Sequence, residues 1–127
     1  MRAILLLIAF AAAAMACGPE KSLALDSGAA AEGAGAYTFE RAASGKYTNT
    51  WSNGTVFQSG IVHCTEMDAG KCGCTATIDQ APGYHLSLAM YRNAGFGSWD
   101  ICYTISAKPM VPKSCAGVKN FAVYRDI

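Results

Sequence analysis

The sequence predicts a small all-β domain, an antiparallel sandwich or barrel of about seven strands stapled by disulfides. Three observations predict it. Residues 84–106 alternate like the two arms of a long hairpin, Asn53-Gly54 separates two further β-rich runs, and short runs divided by turn residues show no helical period. In the central hairpin Tyr84, Leu86, Leu88 and Met90 share one face of the first arm, and Trp99, Ile101, Tyr103 and Ile105 share it on the second. Setting Met90 against Trp99 places Leu88 opposite Ile101, Leu86 opposite Tyr103 and Tyr84 opposite Ile105. Asn93-Ala94-Gly95-Phe96 is then a four-residue loop. A slip of one residue would turn one arm's apolar set to the wrong face.

The chain opens with Met1-Arg2 and an uncharged apolar run over residues 3–16, followed by Cys17-Gly18-Pro19-Glu20-Lys21. That is the layout of an export signal, and the run falls short of the roughly 20 apolar residues that a spanning helix needs. Residues 1–16 are expected to be a signal peptide. Ala14-Met15-Ala16-Cys17 resembles the bacterial lipobox, whose cysteine is lipidated and becomes the first mature residue. The resemblance implies a lipid on Cys17 and attachment to a membrane, and Gly18, in place of the Asp of an inner-membrane retention signal, implies an outer membrane or cell surface. The pattern usually carries Leu where this chain has Ala14. Ordinary cleavage after the small residues Ala14 and Ala16, giving a secreted soluble protein, is the alternative. Residues 17–36 are expected to be a flexible tether, because residues 27–36 are almost wholly Gly and Ala.

About 90 residues remain, 37–127, enough for one domain. They carry eight Lys/Arg against six Asp/Glu with no basic cluster, so nucleic acid is not an expected partner. Residues 37–41 read as a first strand. Residues 46–52 and 55–63 form a hairpin whose Asn53-Gly54 suits a two-residue type I′ turn, setting Trp51 against Val56, Asn49 against Gln58 and Tyr47 against Gly60. A polar loop over 65–71 leads to a strand over 72–78, and Asp79-Gln80-Ala81-Pro82-Gly83 turns the chain into the central hairpin. Pro109 and Pro112 exclude regular pairing after it, and residues 119–125 form the last strand.

Five of the six cysteines lie in this domain, and in an exported chain they read as disulfides. Six cysteines allow 15 pairings. Cys64 with Cys72, across a loop, and Cys102 with Cys115, across the proline-rich return, are the expected pairs. Cys74 is left over if Cys17 carries lipid; otherwise it pairs with Cys17 or a partner chain. The rival reading makes Cys72-Gly73-Cys74, with His63 and Cys64 nearby, a thiol or metal centre. Gaps of seven and one residues do not fit structural zinc, so no metal is expected.

His85, Ser87 and Asp100 resemble a catalytic set only on paper, since the register puts His85 about 13 Å from Asp100 at ~3.3 Å per residue. No phosphate-binding glycine loop or cofactor motif occurs, and an enzyme is not expected. The remaining candidate is a patch of aromatic and amide groups, Tyr47, Asn49, Trp51 and Gln58, on one face of the Asn53-Gly54 hairpin. Such groups stack on ring faces and supply paired donors and acceptors. The expected function is therefore that of an exported, lipid-anchored, non-catalytic binding module for an envelope or extracellular protein or glycan. A thiol or metal protein and a structural surface protein are the alternatives. In architecture alone this resembles the lysozyme-inhibitor lipoproteins, small exported β-barrels with disulfides, none of whose motifs is placed on this chain.

Overall fold

Alternating residues build eight antiparallel strands in the computed structural model, which describes residues 17–26 and 36–127. They are β1 (Lys21–Asp26), β2 (Ala36–Arg41), β3 (Lys46–Trp51), β4 (Val56–Asp68), β5 (Lys71–Thr77), β6 (His85–Asn93), β7 (Ser98–Ser106) and β8 (Asn120–Asp126). Each strand pairs with the next, and β1 also pairs with β8, closing the sheet into a barrel. Closure removes both free edges. Large inward rings, Tyr37, Phe39, Tyr47, Trp99 and Tyr124, fit because Ala24, Ala76 and Ala122 are small at neighbouring inward positions.

Outward positions carry Lys21, Glu40, Lys46 and His63 beside the exposed Leu23, Leu25, Ile61 and Ile105, while the buried apolar residues line the interior. Among the described residues no helix is long and apolar enough to cross a membrane.

The first strand is a correction. The tether expected over 17–36 and the domain boundary expected at 37 do not hold, because Lys21–Asp26 is a barrel strand. Its pattern is inverted: Ser22, Ala24 and Asp26 point inward, while Leu23 and Leu25 are exposed. Only small residues fit where β1 passes Tyr37 and Tyr124, so the usual apolar-in alternation is missing. The proposed signal peptide and residues 27–35 lie outside the described residues.

The central hairpin forms with the predicted faces but with its register two residues away. Met90 faces Ile101, Leu88 faces Tyr103, Leu86 faces Ile105, and Asn93 pairs with Ser98. A two-residue slip preserves every face, so alternation cannot distinguish the two registers. The loop chooses. After a single 3₁₀ turn, Ala94–Phe96, the chain must enter the left-handed region, and Gly97 does so at φ 61°.

The Asn53-Gly54 turn also differs. Only Gly54 of the pair has positive φ, so the type I′ turn is absent. Instead the Gly54 amide bonds the Trp51 carbonyl, and the Trp51 amide bonds that of Thr55, the three-residue hairpin loop ending in a glycine. A register shift between Asn49 and Thr50 then pairs Thr50 with Val56 and leaves Phe57 without an opposite residue. That bulge turns Phe57 onto Trp51. The expected polar loop over 65–71 is mostly strand: β4 runs to Asp68 beyond the core and turns sharply through Ala69-Gly70.

Residues 107–119 cross the outer face of β5, β6 and β7 as a strap. The Met110 amide donates to Ser87 Oγ at 2.9 Å, Lys71 Nζ donates to the Lys113 carbonyl, and Cys115 is bonded to Cys102. Beneath it the outward residues are small, including Gly73, Ser87, Ala89 and Cys102. A Cβ on Gly73 would lie 3.1 Å from Val111.

Gly60 supplies a test of closeness. A Cβ there would stand 2.2 Å from the Thr77 carbonyl oxygen, which also accepts from the Tyr47 hydroxyl at 2.8 Å. Neither backbone can give way cheaply, so Gly60→Ala is expected to cost about 2–3 kcal/mol. That is a fall of roughly 10–20 °C in Tm for a domain of this size, measured by thermal denaturation. Gly54→Ala, with open space but strained φ, is expected to cost about 1 kcal/mol.

Candidate functional site

Tyr47, Asn49, Trp51 and Gln58 share a face as expected, but that face is turned into the barrel. Tyr47 and Asn49 are buried, Asn49 Nδ2 donates to Gln58 Oε1 at 2.9 Å, and Trp51 stacks on Phe57 at 3.8 Å with Tyr37 edge-on to both. The proposed ligand platform is therefore corrected. Barrel closure makes the hairpin's aromatic side a core surface, out of a ligand's reach at Tyr47 and Asn49. Nor is the space between these inward residues a site for a small molecule. A void of about 10 Å³ is bounded by Asn49, Tyr47, Leu88 and Met90 among others, where a ligand site spans hundreds.

Open space lies at the end of the barrel where β1 begins. A cleft of about 510 Å³ is lined by Cys17, Gly18, Pro19, Cys64, Glu66, Gly70, Lys71, Cys72, Arg92, Trp99 and Asp126. A second, of about 270 Å³, is lined by Glu20, Arg41, residues 42–45, Val62, His63 and Cys64. Cys64 thus borders both. In the larger cleft Arg92 bonds Asp126 at 2.8 Å and lies over the Trp99 ring at 5.3 Å, while Lys71 lies over Tyr91. The ion pair is part-exposed and holds geometry more than it adds stability.

Arg41 joins the two clefts. Its Nη2 donates to the carbonyls of Cys17 and Gly18 at 2.8 and 3.1 Å, and its Nη1 reaches Cys64 Sγ at 3.4 Å. Burial lowers the pKa of this guanidinium from its ordinary value, and Glu20 opposes the shift. In the sequence Arg41 is one charge at a strand end, with no signal that it would meet residues 17 and 64.

The cysteines are paired differently from expectation except for Cys102 with Cys115. Cys64 bonds Cys74, directly opposite it on β5, and Cys72 bonds Cys17. The expected Cys64–Cys72 bond required residues 65–71 to be a loop; once β4 continues through them, Cys74 is the facing residue. The Cys17 sulfur is also the atom a lipid would occupy, so lipidation and this disulfide exclude one another.

Both sulfurs of Cys72-Gly73-Cys74 are in disulfides, so neither is a free thiolate for a metal ion. Among the described residues no three His, Cys, Asp or Glu side chains are placed to hold a metal ion. His85 faces Ser106 and Asp100 faces Tyr91, further apart than in the expected register.

At the opposite end Asp26 is buried among tyrosines. The Tyr103 hydroxyl donates to Asp26 Oδ2 at 2.7 Å, and the Tyr37 hydroxyl lies 3.4 Å from the same oxygen. Burial first, and the carboxylate second, push the Tyr103 hydroxyl well above its ordinary pKa. Burial pushes Tyr124 up to about 12, with the carboxylate adding to it.

Among the described residues, fold and clefts together define a small, closed, disulfide-stapled antiparallel barrel with an aromatic-packed interior and two clefts at one end. No family model, curated protein or solved structure matches the chain.

The tyrosine cluster sets a pH limit. A tyrosine raised in the folded state contributes stability that is present below the unfolded pKa of ~10 and is lost as pH rises through the folded value. Stability is therefore expected to hold to about pH 10 and to fall between pH 10 and about 12, the value for Tyr124. Urea titrations across that range, with tyrosinate absorbance as the second signal, check it. All six tyrosines ionising together near pH 10 without loss of stability would contradict the burial of Tyr37, Tyr47, Tyr103 and Tyr124.

Proposed function

We propose that the protein is an exported, non-catalytic binding module that takes an envelope or extracellular protein or glycan at the charged end of the barrel. The observation that carries this reading is the 510 Å³ cleft, whose lining brings Glu66, Lys71, Arg92 and Asp126 together with Trp99. The described interior void is far too small for a ligand, and this end combines donors, acceptors and both signs of charge. Export is supported by the apolar leader and by the pairing of all six cysteines, which suits an oxidising compartment. The Cys17–Cys72 bond favours the secreted soluble form over the lipid-anchored one. Cleavage after Ala16 leaves Cys17 first, with its sulfur joined to the barrel and not to a membrane.

Two measurements test this. The intact mass of the mature protein is expected to equal residues 17–127 less six hydrogens; a mass greater by a diacylglycerol and a fatty acid would instead establish the anchored form. For the cleft, solubilised peptidoglycan fragments, which present sugars and charged peptide groups together, serve as the probe in an NMR titration. Shifts are expected at Glu66, Lys71 and Arg92, and the double variant Glu66→Lys, Lys71→Glu is expected to weaken binding at least tenfold. Lys71 also anchors the strap through the Lys113 carbonyl, so a lower Tm is expected for the double variant and binding is compared at a temperature where it is fully folded. Shifts confined to Trp51 and Phe57, or binding unaffected by the double variant, would remove the cleft from consideration.

A further inference from the structure

The three disulfides sit in different surroundings. Cys102 is wholly buried beneath the strap that carries its partner Cys115. Cys72 is buried, and its partner Cys17 meets Arg41 through its carbonyl oxygen. Cys64 is half-buried, borders both clefts, and has the Arg41 guanidinium 3.4 Å from its sulfur; its partner Cys74 is 1 % exposed. Each bond joins a half-buried cysteine to a buried one, Cys17 and Cys115 being half-buried like Cys64; what sets Cys64–Cys74 apart is the guanidinium beside its half-buried sulfur and a partner directly across the strand pair.

That asymmetry has a chemical meaning. A thiolate reacts and a thiol does not, and a neighbouring guanidinium favours the thiolate. Exchange also requires access to the sulfur attacked, which selects Cys64, although burial makes Cys74 the slower leaving group. An exposed, cation-paired cysteine backed by a buried one supplies a nucleophile and a resolving thiol in register.

We propose that Cys64–Cys74 is a thiol–disulfide exchange site for low-molecular-weight thiols and their disulfides, with Cys64 as the exchanging sulfur and Arg41 as the residue that stabilises its thiolate. An incoming thiolate enters from the larger cleft and attacks Cys64 Sγ. The bond to Cys74 breaks, its electron pair leaves on Cys74 Sγ, which takes up a proton, and Cys64 carries the mixed disulfide. A second thiolate attacks the outer sulfur, releasing the small disulfide and the Cys64 thiolate against Arg41. In balance, two small thiols are oxidised to one disulfide and the protein disulfide is reduced to two thiols. In reverse, the Cys64 thiolate attacks a small disulfide and Cys74 displaces the mixed disulfide. The barrel need not open, because β4 and β5 stay joined by their backbone ladder. This activity is independent of the ligand reading: peptidoglycan fragments can fail to bind while exchange is retained, and the converse.

The test uses the oxidised, full-length mature protein in glutathione buffers of increasing reducing strength, with acid quenching, alkylation and peptide mapping. Cys64–Cys74 is expected to open before the other two bonds, with glutathione found on Cys64. In the opened protein the pH profile of Cys64 alkylation by iodoacetamide is expected to have a midpoint at least one unit below the ~8.5 of an ordinary thiol. Arg41→Gln is expected to raise that midpoint by about one unit, making alkylation near pH 6 roughly tenfold slower, while Arg41→Lys retains most of the shift. A merely structural arginine would leave the midpoint where it is. The proposal is overturned if another disulfide opens first or if glutathione appears on Cys17 or Cys115. It is equally overturned if all thiols alkylate at one rate, as in an unfolded chain, or if the wild-type Cys64 midpoint is 8.5 or higher. That last measurement decides the matter even if neither Arg41 variant folds.

Discussion

Everything in this molecule depends on β1 lying between β2 and β8. Without that strand the other seven form an open sheet whose outer strands present two rows of unpaired amides and carbonyls, and an inner face of aromatic rings with no opposite wall. With it, ten cross-strand residue pairs close the circle, five to β2 and five to β8. Yet β1 contributes little apolar bulk of its own to the interior. Its inward residues are Ser22, Ala24 and Asp26, so its value is geometric, and the segment just before it is secured from outside itself. The Cys17–Cys72 bond and the Arg41 hydrogen bonds to the carbonyls of residues 17 and 18 provide that hold. A disulfide spanning 55 residues removes much freedom from the unfolded chain, on the order of 4 kcal/mol in the chain-entropy account.

The filled interior in turn decides where chemistry can take place. Tyr37, Phe39, Tyr47 and Tyr124 form a continuous set of ring contacts, extended at one end by Trp51 and Phe57. Barrels that carry ligands in their lumen keep that space free; this one fills it to cohere at its small size. Accessible polar groups are thus displaced to the ends. At one end a carboxylate is locked among tyrosine hydroxyls, whereas at the other Arg41, Glu66, Lys71, Arg92 and Asp126 surround two disulfides and open space.

Much of this was legible before the structure. Strands β2 to β8 announce themselves by alternation and turn residues, and Cys102 with Cys115 by the proline-rich return between them. Three things were not legible, each for a physical reason. β1 reads as tether because Leu23 and Leu25 face solvent and its inward side is small and polar. The register of β6 on β7 is ambiguous by two residues, since alternation repeats every two and only the left-handed requirement at Gly97 separates the possibilities. The cleft is a product of closure: Cys17, Arg41, Cys64 and Asp126 are scattered along the chain and meet only because strands one, two, four and eight share an end. Alternation puts Tyr47, Asn49 and Trp51 on one face, but composition does not say which side of a closed sheet is inside, and Tyr47 and Asn49 lie within it.

One more strand than the pattern suggested also changes where the molecule can be held. In an up-and-down barrel each strand reverses the direction of the last, so an odd number leaves the two termini at opposite poles and an even number brings them together. Here eight strands place Ser22 opposite Asp126, so Cys17 and Ile127 both lie at the pole that carries the clefts. A tag or domain joined directly ahead of Cys17 or after Ile127 therefore starts beside that opening. The pole with the Asn53-Gly54 turn can be grafted or labelled without crowding it.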